Sequence, residues 1–303
     1  MTLSDWLIQQ FPHAKRTALR QMVDDRRVLI NGKPATRFTA VMAVGDRASV
    51  IDRPLPGMDP RMPKGDRARK PTLRESRHYD IVFEDDDILI VYKPPGLLTS
   101  TVPNEPRPTL LAMIRDDQAR QNLRVRVGLI HRLDRDASGL LVFSKTDEAY
   151  QSLKSQFFHH AVQRVYHAAV RGKPKPAAGR IETRLVERAD GHVYSTKQQG
   201  RGDRAVTDYE LVRTVGKVSL VRVTLHTGRK HQIRVHMSQK NWSIVGDAIY
   251  GHGEKSPPET GLMLVATKLG FQHPGTGRPV SFEIPLPEEI AALFPEPQKP
   301  TDS

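Results

Sequence analysis

Asp134 stands among His131, Arg132, Arg135 and Asp136, between the apolar runs Leu129-Ile130 and Leu140-Leu141-Val142-Phe143. Charged groups gathered between two apolar strands and followed by a Ser138-Gly139 turn suggest a site held open on a sheet edge. A carboxylate there can attack an electrophilic carbon or take a proton, and a neighbouring guanidinium keeps it ionised. It can also merely cap the Ser138-Gly139 turn. Arg132 can contact a phosphate or form a local ion pair with Asp136, and His131 reads as a ring that orients the turn through hydrogen bonds. Tyr166, in the strand-like Arg164-Val165-Tyr166-His167-Ala168, offers an aromatic face and a hydroxyl. Arg234 ends the run Thr227-Gly228-Arg229-Lys230-His231-Gln232-Ile233-Arg234, where Arg229, Lys230 and His231 would open a helix whose free N–H groups suit an anion. His226, His231 and His236 do not share one helical face, and no Cys or His-x-Glu companion accompanies them, so no metal site is expected.

The elements that must position these groups divide the 303 residues into unequal parts. Residues 1–52 read as a small module. Leu3, Trp6 and Leu7 form one helical stripe that stops near Pro12; Ala18, Leu19, Met22 and Val23 form a second. Asn31-Gly32 predicts a tight hairpin, and a short strand runs from Ala48 to Ile51. Residues 53–77 read as a linker rich in proline, with Arg61, Lys64, Arg67, Arg69, Lys70, Arg74 and Arg77. Residues 78–295 read as one larger domain, and 296–303 as a tail. Within the larger domain, strands are predicted at 81–83, 88–92, 140–143, 165–170, 181–185, 205–212, 218–225 and 282–284, and helices at 108–120, 146–159 and 230–240. Strands with interspersed helices and no βαβ rhythm argue for an α+β fold with a mainly antiparallel mixed sheet.

Lys and Arg number 47 against 34 Asp and Glu, a formal charge of +13, which favours a polyanionic partner, nucleic acid ahead of membrane. The chain has no cysteine, which excludes disulfides, thiolate metal sites and cysteine nucleophiles and fits a reducing compartment. The N-terminal stretch carries Asp5 and no long apolar run, so neither a secretory signal nor a membrane span is expected and the location expected is cytoplasmic.

The Asp134 segment resembles the RluA-type pseudouridine synthases, whose pattern is His-Arg-Leu-Asp, two variable residues, Thr or Ser, Gly and an apolar run. Tyr79-Asp80-Ile81-Val82-Phe83-Glu84-Asp85, the turn Lys93-Pro94-Pro95-Gly96, the strand Arg164-Val165-Tyr166, the segment Gly228 to His236 and Ile244 to Gly251 are similar to further segments of that family. The Lys93 turn is expected to bring a cation to a sheet edge. The resemblance implies a catalytic role for Asp134, with Arg234 paired to it and Tyr166 on the base. It implies that Arg132 engages the target nucleotide, and that Leu262 belongs to the apolar pocket wall. Asp247 is expected to bind backbone. Two departures stand out: Leu98 to Pro103 replaces a loop that often holds His-Pro, and Val265 stands where the family often has histidine. The module of residues 1–52 resembles the RNA-binding domain of ribosomal protein S-four, which makes Lys15, Arg16, Thr17, Arg20, Arg26 and Arg27 expected RNA contacts, together with Arg229, Lys230 and His231.

These resemblances imply an isomerase that converts uridine in RNA to pseudouridine without metal, nucleotide or organic cofactor. The RNA expected is 23S ribosomal RNA, with a dual rRNA and tRNA enzyme left open, and a monomer is expected. A catalytically silent RNA-binding or ribosome-assembly protein would keep the same basic module. A hydrolytic nucleoside or glycoside enzyme would need paired carboxylates, and a metal nuclease a ligand cluster; neither is apparent in the sequence.

Overall fold

The structure is a computed structural model that describes residues 1–12, 14–24, 27–35, 37–43, 45–50, 74–75, 79–101, 107–120, 126–198, 200–251 and 261–295. Arg26, nearly all of the basic 53–77 segment and the 296–303 tail lie outside the described residues. The first module holds α1 (Leu3–Gln10), α2 (Arg16–Asp24), β1 (Val28–Ile30), β2 (Lys33–Pro34) and β3 (Ala48–Val50), with its strands in the order β2-β1-β3. Thr2 and Asp5 cap the start of α1 reciprocally, each side chain taking the other's backbone N–H. Asn31 and Gly32 both have positive φ, 52° and 76°, the conformation a two-residue hairpin turn demands. Leu3, Leu7, Leu19, Val23, Val28, Ala35 and Phe38 close a small core.

The larger domain contains β4 (Arg74–Glu75), β5 (Asp80–Glu84), β6 (Ile88–Lys93), α3 (Leu110–Arg120), β7 (Gly128–Leu129), β8 (Ser138–Ser144), α4 (Asp147–Phe158), β9 (Gln163–Arg171) and β10 (Ala178–Glu187). It continues through β11 (Val193–Thr196), β12 (Asp203–Val215), β13 (Val218–Leu225), α5 (Gln232–Gln239), β14 (Leu264–Gln272), β15 (Pro279–Glu283) and α6 (Glu288–Ala291). The strands form one twelve-stranded sheet in the order β11-β10-β12-β13-β9-β14-β8-β6-β5-β4, with β15 beside β14 and β7 beside β8. Every pairing in it is antiparallel except β8 with β14. The fold is therefore α+β, a larger domain built on a mainly antiparallel sheet and preceded by a small α/β module.

Strand alternation sorts side chains between two layers. Leu89, Val91, Leu141 and Phe143 join α3 and α5 residues on one face. Ile88, Ile90, Leu140 and Val142 join Leu153 of α4 on the other. The central strand β14 was not among the predicted strands. It is buried on both faces, so Leu262-Met263-Leu264-Val265-Ala266 shows no polar alternation to mark it.

The parallel pairing of β8 with β14 brings Gly139 against Ala266. Gly139 has φ of 116°, and a Cβ there would lie 2.3 Å from the Ala266 carbonyl oxygen. Only glycine allows β8 to begin there, five residues after Asp134. Lys93 does not present its charge at a sheet edge as the sequence suggests. It is fully buried, and its ammonium donates to the carbonyls of Pro94, Leu97 and Arg135 at 2.8–2.9 Å. Three donors meet three acceptors, so Lys93 staples the Pro94–Leu97 turn to the loop that carries Asp134.

Arg20 also departs from expectation. Its guanidinium pairs with Asp87 at the start of β6, and the two side chains are only 12% and 5% exposed. It lies over the Phe38 ring as well, 5.0 Å from the centroid. Asp85 beside it accepts the N–H groups of Asp87 and Ile88 and contacts His273 Nε2 at 2.7 Å. Arg20 thus fastens the first module to the larger domain and is not available to RNA. Removing one partner of a buried pair strands the other charge. Arg20→Gln should cost about 3 kcal/mol in urea unfolding, and the double variant Arg20→Gln/Asp87→Asn should recover part of that loss. Additive losses in the cycle would show that the contact does not hold the module.

Candidate active site

A cleft of about 740 Å³ opens over the middle of the sheet. Its walls are the β7–β8 loop from Ile130 to Ala137, the start of β9, the last turn of α4, the Gly228–His231 loop, the start of α5 and Leu264. The β8 strand that leaves this loop is flanked by β6 and β14, so the site is not on a sheet edge. Asp134, Tyr166, Arg132, Arg229, His231 and Arg234 all line it. Leu262 does not. It is buried in the core, while Leu264, two residues on, faces the cleft with Tyr166. Val265 points to the opposite layer, among Ala169, Leu220, Ile290 and Phe294. The residue in place of the expected histidine is therefore a core contact.

Arg234 is the centre of the charged network. Its Nε and Nη2 donate to the two oxygens of Asp247 at 2.9 and 2.7 Å, and both side chains are almost wholly buried. Its Nη1 lies 3.5 Å from Oδ2 of Asp134, which is 23% exposed toward the cleft. The sequence reading expected the short contacts to go to Asp134; they go to Asp247. Asp247 does bind backbone, accepting the N–H groups of Ile249 and Tyr250 at 3.0 Å each, and it anchors the guanidinium as well. Burial alone would push Asp247 up, but Arg234 and the two N–H groups hold its carboxyl below the usual range. Burial would likewise lower Arg234, and the bonds to Asp247 with the charges of Asp247 and Asp134 more than offset it. The result is a fixed cation that orients Asp134 and leaves its carboxylate open to the cleft.

The loop before α5 is held by Gln232, which is buried. Its Oε1 accepts from Thr227 and the Arg229 N–H, and its Nε2 donates to the Val206 carbonyl and Thr207. His231 takes a left-handed conformation, φ 53°, and contacts Tyr250 Oη at 2.8 Å, so the helix begins at Gln232. Arg229 and Lys230 accordingly precede the helix. Lys230 pairs with Glu187 at 2.6 Å and Arg229 with Asp203 at 3.7 Å, acids from two other strands that answer the positive charge there. Lys15, Arg16 and Thr17 are exposed at the start of α2, and Arg16 also approaches Glu148 of α4 at 3.7 Å. Arg27 is half-buried.

Tyr166 is buried in the cleft wall beside Leu264 and Ala266, and its hydroxyl has no hydrogen-bond partner among the described residues. Burial, offset by Arg164 and reinforced by Asp134, pushes its phenol up to about 12. Arg132 is exposed at the mouth; Asp136 pairs bidentately with Arg135 instead, at 2.8 and 3.1 Å. His131 accepts the Val142 N–H through Nε2 and stacks on Phe157, centroids 4.6 Å apart, which suits an orienting ring. His226 contacts Asp208 and His236 contacts Thr183 and Thr207, so the three spaced histidines serve separate partners. Asp85, Asp87 and His273 have ligand-type atoms within 4.8 Å of one another, but the Arg20 guanidinium pairs into that group and none of the three lines the cleft. No helix of the described residues is long and apolar enough to cross a membrane.

Residues 87–239 match the RNA pseudouridylate synthase family. The RNA pseudouridine synthase YlyB of Bacillus subtilis is 33% identical over 297 residues, covering 97% of this chain and 90% of that protein. The ribosomal large subunit pseudouridine synthase D of Zymomonas mobilis is 35% identical over 227 residues, 71% of each chain. Among solved structures, the human RNA pseudouridylate synthase domain containing 4 shares the fold with a TM-score of 0.59 at 21% identity, over 72% of this chain and 91% of that one. The chain belongs to the RNA pseudouridylate synthase family. It is an enzyme of the isomerase class that acts on RNA, with an RluA-type catalytic domain preceded by a small α/β region.

Two imidazoles, His131 in the cleft wall and His236 buried in α5, carry a pH signature. Burial, then the charges of Arg164 and Lys154, pulls His131 down to about 3, and burial pulls His236 down to about 4. Both rings titrate near about 6.5 in the unfolded chain. Between that pH and the folded values the unfolded state binds more protons, so stability falls as pH drops from about 6.5 toward 4. Urea unfolding at pH 7.5 and 5 should show this loss, and His236→Gln should reduce it. An unchanged pH dependence in the variant would remove His236 from the account.

Proposed function

We propose that this protein converts uridine to pseudouridine in large-subunit ribosomal RNA, with Asp134 as the catalytic carboxylate. The observation that carries the reading is the row Asp247–Arg234–Asp134, which ends at an open carboxylate in a cleft beside Tyr166. The reaction breaks the bond from uracil N1 to the ribose, turns the base and forms a bond from C5 to the same carbon. The C5 proton leaves and N1 gains one, so no oxidant and no energy source is consumed. Asp134 can attack the sugar or take a proton from it. Tyr166 offers a stacking face to the uracil and a free hydroxyl. With its phenol pushed up to about 12, it enters the reaction neutral. Arg132, exposed and beside Asp134, is assigned to the target nucleotide's backbone or to the space left by the turned base.

The ribosomal assignment is supported by the Zymomonas enzyme and by the ribosomal large subunit pseudouridine synthase D of Neisseria meningitidis serogroup A, 31% identical over 298 residues. We assign residues 1–52 to an S-four-like RNA-binding domain, supported by its two helices, its small sheet and the exposed Lys15, Arg16 and Thr17. Residues 78–295 form the synthase domain in this reading. With Arg20 committed to Asp87, RNA contact falls to the remaining face of the module and to the cleft mouth.

The test is pseudouridine mapping in cellular RNA with the gene, without it, and with Asp134→Asn in its place. One modification should vanish on deletion and stay absent with the asparagine, whose neutral amide keeps the size but not the nucleophile. The purified variant should bind the same RNA within about twofold and lose turnover by at least about a thousandfold. Normal turnover by Asp134→Asn would sink the assignment, and loss of a modification in tRNA alone would move the target there.

A further inference from the structure

Arg164 is a buried cation with no counter-charge among the described residues. It is the second residue of β9, two before Tyr166, and lines the same cleft. The residue is 8% exposed, and its Nε has no hydrogen-bond partner among the described residues. No ion pair to a described carboxylate holds it. Its guanidinium lies over the Phe157 ring, 5.6 Å from the centroid. It also meets Gly228, where an added Cβ would stand 2.5 Å from Nη1. The guanidinium thus rests against the Phe157 ring and reaches Gly228, where only the absence of a side chain leaves it room. Arg234, equally buried, shows the contrast: it faces two carboxylates.

Burying an unpaired charge is costly unless a partner arrives. On the reading of the site as an RNA-modifying one, the partner is at hand, because every nucleotide brings a phosphate. A guanidinium is the group best suited to take phosphate oxygens in a forked geometry. Residues two apart on a strand point the same way and sit about 6.6 Å apart. Arg164 can therefore hold the backbone while Tyr166 meets the base of the same nucleotide. Uracil carbonyls are neutral and would leave the charge uncompensated.

We propose that Arg164 is a phosphate-binding residue for the target nucleotide, seated against Phe157 and beside Gly228. This rests on the proposed function. It adds a fixed backbone contact deep in the cleft to the exposed one offered by Arg132.

The test uses the full-length protein and a short RNA that the wild type converts. The phosphate on the 5′ side of the target uridine, and separately the one on its 3′ side, is replaced by a neutral methylphosphonate. One of the two replacements should raise the wild-type half-saturating RNA concentration about tenfold. Arg164→Gln should raise it by a similar factor with unmodified RNA and then show less than about a twofold further effect from that methylphosphonate. The slope of log affinity against log salt should fall by roughly 0.7 in the variant, as for one lost phosphate contact to single-stranded RNA. Arg164→Met, which leaves no unpaired polar atom over Phe157, gives the same comparison if the glutamine variant is unstable. Equal methylphosphonate penalties in wild type and variant, or an unchanged salt slope, would overturn the assignment. No conversion of any RNA by the wild type would instead overturn the function on which it rests.

Discussion

A single guanidinium sets the geometry of the cleft. Arg234 is pinned by both oxygens of Asp247, and what remains of its donor fork faces Asp134. A buried pair of this kind contributes little net stability, because desolvation offsets the Coulomb gain. Its value is positional. Arg234 cannot turn without breaking two short bonds, so the third nitrogen defines where the Asp134 carboxylate rests. The surrounding structure is arranged to keep that cation in place. Gln232 saturates its hydrogen bonds between α5 and β12, His231 makes the sharp turn into the helix, and Tyr250 lies under the guanidinium at 5.2 Å.

The Asp134 loop is fixed from its other end by two constraints of different kinds. Gly139 lets β8 approach the Ala266 backbone, where any side chain would collide. Lys93 satisfies three carbonyls, one of them from Arg135, in a place water does not reach. Both residues are silent in the proposed chemistry, yet each fixes the loop within a few residues of the carboxylate. The motif that looks catalytic in the sequence is thus partly a packing motif. Its Ser-Gly step exists because two strands run parallel there at close range.

Much of the fold was legible because its patterning is local. β13 alternates in the sequence, Asn31-Gly32 demands its turn, and the observed helices α3 to α5 fall within a residue or two of the predicted spans. The places where the sequence misled depend on distant partners. β14 hides because both of its faces are covered, and the family resemblance points to Leu262 where Leu264 faces the cleft. Arg20 and Lys93 read as surface cations because nothing local reveals Asp87 or the three carbonyls that take their charge. Lys230 looked free until β10 brought Glu187 to it. Asp247 was read as a backbone-binding residue, thirteen positions from Arg234, and only the tertiary fold shows that it is the stronger partner.

Arg234 acts through its planar fork, holding Asp247 and Asp134 at once. Arg234→Lys keeps the charge and removes the fork. The decisive measurement is its single-turnover rate of pseudouridine formation on an RNA the wild type converts, with affinity for that RNA taken in parallel. The account predicts a folded protein with affinity within about twofold and a rate reduced about a hundredfold, the scale of an ångström-sized misplacement of a reacting group. A rate equal to the wild type would contradict it.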